Sequence, residues 1–71
     1  MKVTLDILQS LFNGIGYENP TNSERSRVIT ILEGDSDPIT KGNDICDYLG
    51  IERRRNRLFI AQLINIHSNN A

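Results

Sequence analysis

Gly42-Asn43-Asp44-Ile45-Cys46-Asp47-Tyr48-Leu49-Gly50-Ile51-Glu52-Arg53-Arg54-Arg55-Asn56-Arg57-Leu58-Phe59 is the stretch that decides how this chain folds. It carries two helical patterns parted by a glycine. Upstream, Ile45, Tyr48 and Leu49 form the apolar face of a helix from about Thr40 to Leu49, with Thr40 as its cap and Gly50 closing it. Downstream, a helix is predicted from Arg53 to about His67. Its Leu58, Phe59, Ala61, Leu63, Ile64 and Ile66 are too many apolar residues for a solvent face. No candidate β-hairpin follows it.

Outward from this stretch the pattern stays helical. An acidic turn, Glu33-Gly34-Asp35-Ser36-Asp37-Pro38, precedes it, and its proline prevents an earlier helix from continuing. That earlier helix begins near Thr21 to Ser23. Thr21 and Glu24 have capping-box spacing, Ser23 is a competing cap, and Gly34 marks the end. Val28, Ile29, Ile31 and Leu32 make its buried face. A first helix runs from about Thr4 to Asn13, with Leu5, Leu8, Leu11 and Phe12 at helical spacing, Thr4 as cap and Gly14 as a left-handed stop. The tail from Ser68 to Ala71 is expected to fray.

Length and composition exclude several classes. A chain of 71 residues is one domain, here 1–71, with residues 1–13 as an extra N-terminal helix. It buries only ~60% of its unfolded surface, so spare stability is small. At 38% apolar residues it is not of the disordered class. Trp is absent and the aromatics are Phe12, Tyr17, Tyr48 and Phe59, too few for a base-stacking platform. Cys46 is the only cysteine, which rules out an intrachain disulfide and a thiolate-rich metal site and suits a reducing compartment. The N-terminus lacks the apolar run of a signal peptide and no stretch reaches membrane-spanning length, so a cytoplasmic protein with no membrane partner is expected.

The net charge of −1 is unevenly spread. Residues 1 to 50 carry four cations (Lys2, Arg25, Arg27, Lys41) and eight acids, a balance of −4. Residues 51 to 71 carry Arg53, Arg54, Arg55 and Arg57 against Glu52 alone, a balance of +3.

The quoted stretch resembles a helix-turn-helix of the bacterial regulator type, small and wingless. The likeness spans about residues 24 to 67, including the lead-in helix Arg27 to Leu32 and Asp37-Pro38-Ile39-Thr40. It implies an all-α fold of four short helices, the last three forming a tri-helical helix-turn-helix. In that motif two helices cross steeply and need a small residue where their backbones approach, a place Cys46 fills. Gly50 tolerates the positive φ of the turn, Ile51 points inward, and Ile45, Leu49 and Phe59 complete the interior. One position departs from the pattern. Six residues after the turn glycine the family usually has an aliphatic residue, and here stands Asn56. Either the turn is longer and Leu58 takes the slot, or the helix pairing is non-standard.

The resemblance implies a small DNA-binding transcriptional regulator, of the size found among phage and mobile-element control proteins. The N-terminal part of the fourth helix would enter the major groove of double-stranded DNA. The candidate DNA-binding residues are Arg53, Arg54, Arg55, Asn56, Arg57 and Lys41. Arginine's planar fork suits both phosphate and guanine, and asparagine suits adenine. Successive helical residues point about 100° apart, so the arginines cannot all face one groove; Arg54 and Arg57 share a face, and Arg53 aligns with Arg57. Against this, arginines flanking an apolar helix are often only a solvated face, and Glu52 has the spacing to pair with Arg55. The placement favours function, because clustered cations at a helix start repel one another and oppose the dipole unless an anion is met. A homodimer on a two-fold site is expected; the first helix either supplies its contact or simply covers the core.

Other sites are not supported. Pro38 and the lack of a spaced glutamate exclude a calcium loop at Asp35 and Asp37, and Gly14-Ile15-Gly16 lacks the length of a nucleotide fold. Cys46 reads as a packing residue and His67 as a helix-end residue, so no catalytic residues, no cofactor and no enzyme activity are expected. A competing function is a protein-binding adaptor or inhibitor, for example of a host protein such as RNA polymerase, presenting the acidic turn or the arginines. A third is architectural or recombination-directionality DNA binding, with the same arginine contacts on a bent site.

Overall fold

The computed structural model describes residues 2–68. They form four α-helices: α1 (Leu5–Gly14), α2 (Asn22–Leu32), α3 (Pro38–Leu49) and α4 (Arg54–Ser68), with no strand among the described residues. The all-α expectation is met. Of the expected frayed tail, Ser68 is the last residue of α4, and residues 69–71 lie outside the described residues.

Local chemistry sets each boundary. Thr4 caps α1 by accepting a hydrogen bond from the Ile7 amide (3.3 Å). The expected stop at Gly14 falls two residues later, at Gly16, which takes φ 69°. There the Gly16 and Tyr17 amides bond back to Asn13 and Phe12 carbonyls, and the Tyr17 ring packs on Phe12 at 5.7 Å between centroids. This is a Schellman ending with its hydrophobic contact. The capping box of α2 forms as expected between Thr21 and Glu24. Glu24 also accepts a hydrogen bond from the Tyr17 hydroxyl, which ties the loop to α2. α2 ends at Leu32 with Glu33 in the right-handed region, and Gly34 follows without positive φ.

The third helix starts earlier than its hydrophobic pattern suggests. Asp37, not Thr40, is its cap, accepting from the Thr40 amide at 2.7 Å, and Pro38 is a first-turn residue of the helix. Proline's fixed φ and missing N–H cost nothing there, so the residue that bars one helix opens the next. Gly50 ends α3 at φ 70°, with the Ile51 amide bonded to the Cys46 carbonyl.

The core gathers Leu8, Leu11, Phe12, Val28, Leu32, Ile45, Cys46, Leu49, Ile60 and Ile64 from all four helices. Fully burying one such side chain stabilises by about 1.5–3 kcal/mol. Ile29, Ile31 and Ile51 pack on it half-buried. Four residues of the predicted apolar faces turn outward instead: Leu5, Leu58, Ile66, and Tyr48, whose ring lies under the Arg27 guanidinium at 5.8 Å. The tightest pairing is α3 against α4. The two backbones approach closely at Gly42: a Cβ there would sit 2.8 Å from the Arg57 carbonyl oxygen. Cys46 is a fully buried core residue. Gly14 does the same for α1, lying against the Phe59 ring of α4.

Gly42→Ala should lower the thermal midpoint, by the equivalent of about 1–3 kcal/mol, because the methyl meets backbone that cannot rotate away. A midpoint at or above wild type in a thermal melt would show that α3 and α4 are not in close contact there. Acid sensitivity gives a second check. Hydrogen bonds hold the carboxyls of Asp37 (from the Thr40 amide) and Glu24 (from the Tyr17 hydroxyl, then the Thr21 amide) below the ordinary carboxylate range. A carboxyl lowered in this way stabilises the fold while ionised, and its contribution is lost as pH falls through the lowered value. The midpoint should therefore drop below about pH 4. Asp37→Asn keeps the capping oxygen but not the charge, so its midpoint should fall less steeply over the same range. Equal slopes would refute the assignment.

Candidate nucleic-acid interface

α4 begins with an unusual set of residues for a helix start. Arg54 and Arg55 occupy its first positions, Arg57 follows, and no acidic residue lies in the first turn. The register is set by the contact at Gly42. With the Arg57 backbone against α3, the residues one and two turns on, Ile60, Ala61 and Ile64, are buried. Arg55, Leu58 and Gln62 then turn away from α3 and are exposed, and Arg54, the first residue of α4, is exposed beside them.

The six predicted site residues separate into different environments. Arg53 sits in the turn before α4 and forms a two-pronged pair with Asp47 at the end of α3, Nε to Oδ1 at 2.9 Å and an Nη to Oδ2 at 2.5 Å. This pair holds the Asp47 carboxyl below its usual range and raises the guanidinium in turn. It bridges the four residues that join the two helices. Arg54 is largely solvent-exposed, its side chain 87% accessible, with a loose contact of 3.6 Å to Glu52. Glu52 thus meets Arg54 rather than Arg55. Among the described residues no carboxylate lies within ion-pair distance of Arg55 or Arg57. Arg55 is exposed, whereas Arg57 is half-buried against α3.

Asn56 is half-buried, and its side-chain amide donates to the Glu52 carbonyl at 2.8 Å. It satisfies the turn from within α4. Leu58 does not take the slot of the missing aliphatic residue: it points to solvent at 56% exposure, and Ile60 is the first fully buried residue of α4. The turn spans four residues, Gly50 to Arg53, a length such turns commonly have.

Lys41 is not part of this face. It is only 8% exposed, and its ammonium donates to the Leu32 carbonyl at 2.7 Å. Leu32 ends α2, where unsatisfied carbonyls and the negative end of the helix dipole attract a cation. The structure therefore gathers Arg54, Arg55 and Leu58 outward and leaves Arg53 and Lys41 in structural contacts. Leu58 and Gln62 share this exposed face and are not among the six residues the sequence pointed to. Their signal was present, since both lie at helical spacing from Arg54, but Leu58 was assigned to the interior.

The remaining features lie away from the start of α4. Cys46 is fully buried, and burial, with Asp47 beside it, pushes its thiol pKa up. No group of three or more His, Cys, Asp or Glu placed to hold a metal, and no helix long and apolar enough to cross a membrane, occurs among the described residues. A groove of about 540 Å³ between α1 and the 16–20 loop, lined by Leu8, Phe12, Tyr17 and Arg25 among others, contains no residue of α4. No protein-family model, curated protein or solved structure matches this chain.

Cations at a helix N-terminus oppose the dipole by about 0.3–1 kcal/mol each. Arg55→Glu should therefore raise the thermal midpoint by a few degrees, since about 1 kcal/mol moves a domain of this size by 4–8 °C. An unchanged or lower midpoint would show that the arginine carries no such penalty.

Proposed function

We propose that this protein is a small DNA-binding transcriptional regulator that inserts the start of α4 into the major groove of double-stranded DNA. The observation that carries the reading is the exposed pair Arg54 and Arg55 at a helix start with no acid in its first turn, in a chain otherwise acidic. That arrangement destabilises the free protein and is relieved by an anion. Phosphates are the anions, and guanine edges the specific acceptors, that the arginine fork fits. The four-residue turn and the buried α3 side of α4 support a helix-turn-helix docking, in which α3 crosses the backbone while α4 reads the groove. Arg57, half-buried, would reach phosphate at the groove's edge. One short helix covers few base pairs, so binding as a homodimer on a two-fold site follows.

A protein-binding adaptor is the second reading. It is favoured by exposed apolar residues outside the arginine pair, Leu5 and Ile66. The two readings predict different salt behaviour.

Titration of the protein against mixed-sequence duplex across a salt series should show affinity falling steeply with salt. Each phosphate contact contributes a slope of about −0.9 in log K against log salt. Arg54→Ala combined with Arg55→Ala should reduce that slope by up to about two, while Lys41→Met should leave it unchanged. Absence of duplex binding at low salt would exclude the DNA reading in favour of the adaptor.

A further inference from the structure

Leu58 stands out on the face that α4 presents. A domain this small has few apolar residues to spare, yet Leu58 is 56% exposed. It lies one turn beyond Arg54 and three residues beyond Arg55, with Gln62 a further turn along, so an apolar group sits among polar and cationic ones on one exposed face. Isolated exposed leucines are ordinary; this one is placed where the arginines would hold it against an anionic partner. In a major groove the apolar feature that separates one base pair from another is the C5-methyl of thymine.

We infer that Leu58 is a specificity-determining residue that packs against a thymine methyl, making an A·T pair a preferred element of the DNA site next to the pairs met by Arg54 and Arg55. This rests on the DNA-binding reading above. The division of labour is chemical. Arg54 and Arg55 supply charge and hydrogen bonds to phosphate or guanine, contacts that thymine cannot offer in the same way. Leu58 supplies shape and desolvation, which uracil, lacking the methyl, cannot reward. The loss of one methyl contact corresponds to about a fourfold change in affinity, from about 0.8 kcal/mol per buried carbon.

The test uses the full chain and a pool of randomised duplexes. Wild-type protein and Leu58→Ala are each carried through selection, and the best wild-type duplex is remade with uracil replacing thymine at each position in turn. Leu58→Ala should fold as wild type does, because its side chain is outside the core; far-UV circular dichroism checks this. At one position uracil should weaken wild-type binding about fourfold and leave Leu58→Ala binding unchanged, and the variant's own selection should lose the preference for A·T there. Salt-dependent binding with no uracil-sensitive position, or with equal loss in both proteins, would overturn the role of Leu58 and leave the DNA reading standing. Failure of both proteins to bind any duplex would overturn both.

Discussion

The Arg57 carbonyl oxygen lies so close to Gly42 that any side chain there would meet backbone, and this approach of α3 to α4 governs much else. A glycine inside a helix costs about 1 kcal/mol relative to alanine, so its presence is repaid by what the contact allows. With Arg57 turned toward α3, helical geometry leaves no choice for its neighbours. Ile60, Ala61 and Ile64 must face Ile45, Cys46 and Leu49, and they are buried. Arg55 and Leu58 must then face away, while Arg54 is exposed because it opens the helix. The exposed surface of α4 is a consequence of where its buried surface had to go.

The cations divide along the same line. Lys41 neutralises the carbonyl end of α2, Arg53 clasps Asp47 across the turn, and Arg27 lies over the Tyr48 ring. Each has an intramolecular partner that explains it. The helix starts are equally economical elsewhere: Thr4 caps α1, Thr21 and Glu24 close a capping box on α2, and Asp37 caps α3. α4 alone departs from this chemistry, with arginines where the other helices use hydroxyls and carboxylates. Where one helix start departs from the capping chemistry its neighbours share, a partner's chemistry is expected to matter there.

Much of the fold was legible in the residues because short-range signals dominate it. The apolar spacing of Leu8, Leu11 and Phe12, the Thr21–Glu24 pair and the left-handed Gly50 are local statements, and the structure repeats them. Errors arose where a residue type has two local meanings. Pro38 reads as a breaker but also fits a first turn, and Gly14 reads as a stop while its missing Cβ serves the Phe59 ring. Lys41 could not be separated from a ligand-facing lysine by sequence, since the carbonyl that binds it belongs to another helix nine residues away. α4 was ambiguous for a related reason. Its apolar residues are too numerous for one stripe, so periodicity permits Leu58 on either side, and only the contact at Gly42 decides.

That decision also separates the site from the scaffold. The side chains of Arg54, Arg55 and Leu58 are exposed and contribute nothing to the core, so their identities are free to follow a partner. Arg53 is different. Its pair with Asp47 spans the turn that aims α4, and it orders the site without belonging to the exposed face. An anion that drew Arg53 away from Asp47 would loosen the turn as it bound, whereas one meeting Arg54 and Arg55 would leave the turn intact. The arrangement therefore favours a rigid α4 carrying a replaceable face, the physical condition under which a helix this short can hold arginine and leucine side chains in a constant relation to one surface.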